Sequence, residues 1–117
     1  MILVEDDPSV LRALRRLVMS AGFKVLTFDR PSVVLAANIP KTDACLVVDF
    51  HLPEMNGVEL CEALAASGCQ LPIVFITGHL DEQTRCMIAR TPRSMVLSKP
   101  FRREELLAAL SSRLATA

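Results

Sequence analysis

The chain predicts an α/β fold: one domain built on a doubly wound, parallel five-stranded sheet with a helix after each strand. Three observations carry that expectation. Short β-branched runs alternate with amphipathic stretches from one end of the 117 residues to the other. Two of the runs, "CLVVD" (45–49) and "PIVFIT" (72–77), are apolar without alternation, as strands covered on both faces are. Finally, no repeat, low-complexity segment or linker interrupts the pattern, and a length of this order suits a single core. Strands alternating with helices in this way imply right-handed crossovers and helices on both faces of the sheet.

The elements follow in order. "MILVE" (1–5) reads as the first strand. In "PSVLRALRRLVMSAG" (8–22), Val10, Leu11, Leu14, Leu17 and Val18 recur at helical spacing. Asp7 suits the N-cap, Pro8 the first helical position and Gly22 the C-terminal cap. "KVLTF" (24–28) is the second strand and residues 31–37 a short helix. "ACLVVD" (44–49) is the third strand, and "GVELCEALAASG" (57–68) the helix after its loop. "PIVFIT" is the fourth strand, and "LDEQTRCMIAR" (80–90) a helix with a thin apolar face. "SMVLS" (94–98) and "REELLAALSSRLA" (103–115) complete the alternation. Met19, Met55, Met87 and Met95 are expected to fill gaps in the core.

Composition narrows the function. Thirteen basic and thirteen acidic residues cancel, so no global field draws the chain to nucleic acid or to an anionic membrane. No apolar run is long enough to cross a bilayer, and no secretory signal is evident at the N-terminus. Cys45, Cys61, Cys69 and Cys86 lack C-x-x-C spacing, which favours free thiols over disulfides or zinc. The expectation is a soluble, cytoplasmic protein.

Polar residues mark the ends of the strands, where a parallel sheet places its site. Glu5, Asp6 and Asp7 follow the first strand, Asp49 ends the third and Thr77 the fourth, and Lys99 and Pro100 follow the fifth. Clustered carboxylates repel one another unless a cation is present. Their oxygens suit a hard divalent ion, with Mg²⁺ the better expectation because it keeps water ligands for phosphate. With such charge neutralisation, a carboxylate can attack a phosphoryl group. Each residue also has a plainer reading. Asp49 alone would start a turn, Thr77 would be a β-branched strand residue, and Lys99 a solvated cation, one of three lysines against ten arginines.

The motifs "VEDDPSV", "VVDFHLPEMNG", "IVFITGH" and "LSKPF" occur in order, with 43 positions from Asp6 to Asp49, 28 from Asp49 to Thr77 and 22 from Thr77 to Lys99. In this the chain resembles the bacterial two-component response-regulator receiver domain, over essentially residues 1–117. The resemblance implies a flavodoxin-like fold with strand order 2-1-3-4-5, an order that comes from members of the family itself and not from the spacing of these elements. It implies Asp49 as the phosphoacceptor for a kinase phosphohistidine, with Mg²⁺ held by Asp6, by Asp49, by the backbone carbonyl of His51, and by Glu5 through water. Asp7 would cap a helix. Thr77 would be the switch hydroxyl, Lys99 the phosphate-pairing ammonium, and Lys99–Pro100 a cis peptide. The implied partners are a sensor histidine kinase or phosphotransfer protein, and a second copy through the face of the fourth helix and fifth strand.

Some positions depart from the family pattern or stay open. Val96 stands where many receivers carry Tyr or Phe, which puts the usual threonine–aromatic coupling in question. "TPRSM" (91–95) replaces a small Gly-Ala pair, so Pro92 and Arg93 imply an atypical output surface. His51 and His79, each two residues beyond a site residue, read equally as loop histidines or as groups tuning phosphate lifetime, and a transition-metal site of the two with a carboxylate is the weaker reading. Three functions compete: a phosphorylation switch that is not a metabolic enzyme, a haloacid-dehalogenase-type phosphatase, and a receiver-like binding module without phosphorylation. The phosphatase needs a second acid where His51 stands. "ITGHLD" (76–81) resembles receivers that precede a DNA-binding domain in transcription regulation.

Overall fold

Ten elements alternate along the chain in the computed structural model, which describes residues 1–115. They are β1 (Ile2–Val4), α1 (Pro8–Ser20), β2 (Leu26–Phe28), α2 (Pro31–Ala36), β3 (Leu46–Asp49), α3 (Gly57–Ala66), β4 (Ile73–Thr77), α4 (Glu82–Ala89), β5 (Ser94–Ser98) and α5 (Arg103–Ala115). The strands form one sheet in the order β2-β1-β3-β4-β5, and every pairing is parallel. The expected fold class and strand order are therefore observed.

Strand pleating sorts an almost wholly apolar set of residues onto two faces. Ile2, Val4, Leu46, Val48, Ile73 and Phe75 join the layer covered by α2, α3 and α4. Leu3, Cys45, Val47, Val74 and Ile76 join the layer covered by α1 and α5, which supply Leu14, Val18, Leu106 and Leu110. Each fully buried side chain of this size contributes about 1.5–3 kcal/mol. β2 and β5 are the edges, and their side chains are mostly half-buried or exposed.

Helix ends obey local chemistry. The Asp7 carboxylate accepts hydrogen bonds from the amides of Ser9 and Val10, so it is the N-cap of α1. At the other end Gly22 has φ +93°, and its amide and that of Phe23 donate to the carbonyls of Met19 and Val18. That is a Schellman closure, which glycine adopts at no steric cost. Asn56 and Glu59 form a reciprocal capping box at the start of α3, and Asp81 caps α4 by accepting from the Thr84 amide at 2.8 Å.

One packing expectation is corrected. Met19 is 47% exposed, because Leu14 and Val18 take the core-facing stripe of α1 and residue 19 falls on its outer flank. Met55, Met87 and Met95 do pack against the core. The four cysteines are free thiols, three of them buried.

Gly57, the first residue of α3, lies against the end of β3. A β-carbon there would stand 2.9 Å from the Asp49 carbonyl oxygen and 3.1 Å from the Phe50 α-carbon. Both are backbone atoms, which cannot move aside. Gly57→Ala is expected to destabilise the fold by about 1–3 kcal/mol, read as a lower denaturation midpoint in urea with an unchanged slope.

Candidate functional site

Because all strands run the same way, their carboxyl ends share one edge of the sheet, and the order reverses direction between β1 and β3. Backbone bonds fix that edge. The Glu5 amide donates to the Phe28 carbonyl at 3.1 Å, Phe50 to Ile76 at 2.9 Å and Lys99 to Thr77 at 2.7 Å.

Glu5, Asp6 and Asp49 each present a carboxylate oxygen within 4.8 Å of the others. Glu5 and Asp49 are buried, at 0% and 5% exposure, and Asp6 is exposed. The Lys99 ammonium lies between the two buried acids, donating to Glu5 Oε1 at 2.7 Å and to Asp49 Oδ2 at 3.2 Å. Lys99 reaches them across 94 and 50 positions of sequence, so the site exists only in the folded chain. Asp49 Oδ1 accepts the His51 amide at 3.1 Å. Asp49 thus starts a turn and also meets the lysine: one oxygen shapes the loop while the other faces the ammonium.

The electrostatics follow from burial. Loss of hydration pushes the Glu5 carboxyl up to about 7, helped by the neighbouring Asp49 and opposed by Lys99. Burial alone would lower the Lys99 ammonium, but Glu5 and Asp49 outweigh it and its pKa is raised. Three carboxylates with one cation among them form a hard-oxygen donor set, which fits a small divalent ion.

Thr77 is fully buried, and its hydroxyl is engaged in its own loop. Oγ1 donates to the His79 carbonyl at 3.0 Å and accepts the His79 amide at 3.1 Å. The Lys99–Pro100 peptide is cis. Val96 is half-buried in the fifth strand, paired in register with Phe75. His79 is exposed and leans toward Asp81, Nε2 to Oδ2 3.4 Å; His51 sets its ring edge-on to Phe50, centroids 5.0 Å apart. Neither imidazole joins the carboxylate group found among the described residues. Arg93 has φ +60°, and its guanidinium donates to the Gln70 carbonyl at 2.9 Å, at the opposite end of the sheet.

Two contributors lay outside the sequence expectations for the site. Gly57 seats α3 against the Asp49 backbone and donates its amide to the Phe50 carbonyl at 2.8 Å; its place directly after a capping Asn was the available signal. Glu54, at φ +72°, accepts the Ser32 amide at 2.9 Å and so ties the loop after β3 to α2.

Comparison with known proteins agrees with this architecture. Residues 1–111 match the response regulator receiver domain, and the chain belongs to that family. Nodulation protein W of Bradyrhizobium diazoefficiens is 40% identical over 113 residues, covering 92% of this chain and 47% of that protein. The response regulator TodT of Pseudomonas putida is 38% identical over 112 residues, covering 96% and 49%. The chain thus spans about half the length of these curated relatives. The structure of the response regulator StyR superposes with a TM-score of 0.82 at 39% identity, covering 98% of this chain and 58% of that one. A CheY-like receiver from Methanospirillum hungatei, at 18% identity, a TM-score of 0.85 and coverage of 98% and 92%, shares the fold. A receiver domain is a signalling switch, and the phosphatase alternative is not favoured. No helix among the described residues is long and apolar enough to cross a membrane.

The raised Glu5 pKa fixes a pH dependence. Between about pH 4.5 and about pH 7 the folded chain holds a proton that the unfolded chain releases, so stability falls as pH rises through that window. In EDTA, wild type is expected to lose stability from about pH 5 to about pH 7, and Glu5→Gln to flatten that part of the profile. Urea denaturation across the range checks it.

Proposed function

We propose that the chain is the phosphoacceptor module of a two-component regulator, one receiver domain over residues 1–117, with Asp49 as the residue phosphorylated. The observation that supports this most is the Lys99 ammonium spanning Glu5 and Asp49 at the mouth of the sheet. A nucleophilic carboxylate is useful only where the charge of an incoming phosphoryl group is offset.

An Asp49 oxygen attacks the phosphorus of a phosphohistidine on a sensor histidine kinase or phosphotransfer protein. A P–O bond forms as the P–N bond breaks, and the imidazole leaves. Asp6 and Asp49 directly, Glu5 through water and the His51 backbone carbonyl would hold Mg²⁺, which when bound supplies charge neutralisation to the phosphoryl oxygens. Glu5 acts there as a carboxylate, its proton given up, and Lys99 transfers a hydrogen bond from the acids to a phosphoryl oxygen. Thr77 trades the His79 carbonyl for another phosphoryl oxygen, which unlatches its loop. Val96 leaves space beside that movement without the large swing of an aromatic ring. Water later hydrolyses the acyl phosphate, a step in which His51 and His79 tune access to the mouth.

The readout is a changed protein surface on α4 and β5, which pairs with a second copy or an output partner. Relatives twice this length include proteins named as transcriptional regulators. The same role in a cytoplasmic regulator of transcription is the reading here, with no direct contact between this module and nucleic acid.

Incubation with acetyl phosphate and Mg²⁺ should add one phosphoryl group to wild type by intact-mass spectrometry and none to Asp49→Asn. Equal labelling of Asp49→Asn, or no labelling of wild type, overturns the proposal and in the second case favours a binding module. Lys99→Ala is expected to slow labelling by about 100-fold.

A further inference from the structure

A cavity of about 350 Å³ opens between α3 and α4, at the end of the sheet away from the acidic cluster. Leu46, Val58, Cys61, Leu71 and Ile73 line it, and all are buried. Ala65 and Cys69 also face it and fill little of the space, while Met87 is the apolar side chain that α4 brings. The reason lies in the sequence of α4. Its buried residues are Thr84 and Ile88, and it packs chiefly on β5, so little side-chain volume is left to meet α3. The cavity is a cleft partly open to solvent, with apolar walls. At about 150 Å³ an apolar cavity already takes benzene, and ligand pockets begin at about 300 Å³.

The mouth differs from the interior. Arg90 and Arg93 stand on the rim against a single carboxylate, Glu62. The Arg93 guanidinium is held there by its bond to the Gln70 carbonyl. The thiols are part of the apolar wall rather than nucleophiles, since burial pushes Cys61 up to about 12. An apolar chamber with a net positive rim selects a ligand that is apolar at one end and anionic at the other.

We propose that this cavity binds a small organic acid with an apolar body, the body between α3 and α4 and the carboxylate at Arg90 and Arg93. Such a ligand fastens the C-terminal turn of α4 to α3. It therefore acts on the helix that Asp49 chemistry is proposed to move, at a separate site; the binding itself does not depend on phosphorylation.

The probe is 2-naphthoate, titrated into the 117-residue chain and followed by ¹H–¹⁵N NMR, with 2-naphthalenemethanol as the neutral comparison. The expected result is saturable shifts in residues 61–71 and 87–93 with a dissociation constant of about 1 mM or tighter, and nuclear Overhauser contacts from ring protons to the Met87 and Leu71 methyls. Cavity-filling Ala65→Leu and Cys61→Leu should each weaken binding by about tenfold or more. Arg90→Gln combined with Arg93→Gln should weaken the acid several-fold more than the alcohol. Absence of saturable shifts or of those methyl contacts in wild type overturns the site, as does unchanged affinity in a filling variant that keeps the wild-type spectrum. Equal response of acid and alcohol to the arginine changes overturns the anionic class of ligand. Failure of Asp49 labelling would leave each of these readings intact, so the two proposals are separable.

Discussion

The ion bridge from Lys99 to Glu5 and Asp49 organises this molecule. Two carboxyl groups are buried a few ångströms apart, an arrangement that costs free energy unless one acid keeps its proton or a cation stands between them. The chain does both, with a lysine drawn in from the end of β5 and a Glu5 that ionises late. Everything that fixes the strand ends, from the parallel register to the amide bonds at Glu5, Phe50 and Lys99, serves to hold that cluster in place. The cost of burying charge is concentrated at that one edge of the sheet.

The rest of the fold supplies what that edge gives up. Six buried apolar side chains of the strands pack toward one face and four toward the other, and helix ends are closed by Asp7, Gly22, Asn56 and Asp81. These closures are local devices, each worth about 1 kcal/mol.

Much of this was legible in the chain itself. Parallel topology brings residues at strand ends together whatever lies between, so Glu5, Asp6, Asp49, Thr77 and Lys99 could be gathered from their positions after apolar runs. What escaped depends on volume and rotamer instead of order. The Thr77 hydroxyl turns to its own loop because a neighbouring carbonyl and amide are within reach. Gly57 matters because of an approach of backbone to backbone that periodicity does not encode. Met19 had the right residue type but one position too many around the helix. The cavity between α3 and α4 arises because Ala65 and Cys69 fill little space and α4 brings only Met87 as an apolar side chain to meet them, which no single residue announces.

Gly57 has a mechanical consequence. With α3 butted directly on the backbone that carries Asp49, no side chain separates the start of that helix from the end of β3. The next helix, α4, is shorter and packs chiefly on the edge strand β5, with a cavity between it and α3. The two flanks of the sheet's covering layer are therefore unequally filled, backbone against backbone at α3 and side chain across a gap at α4.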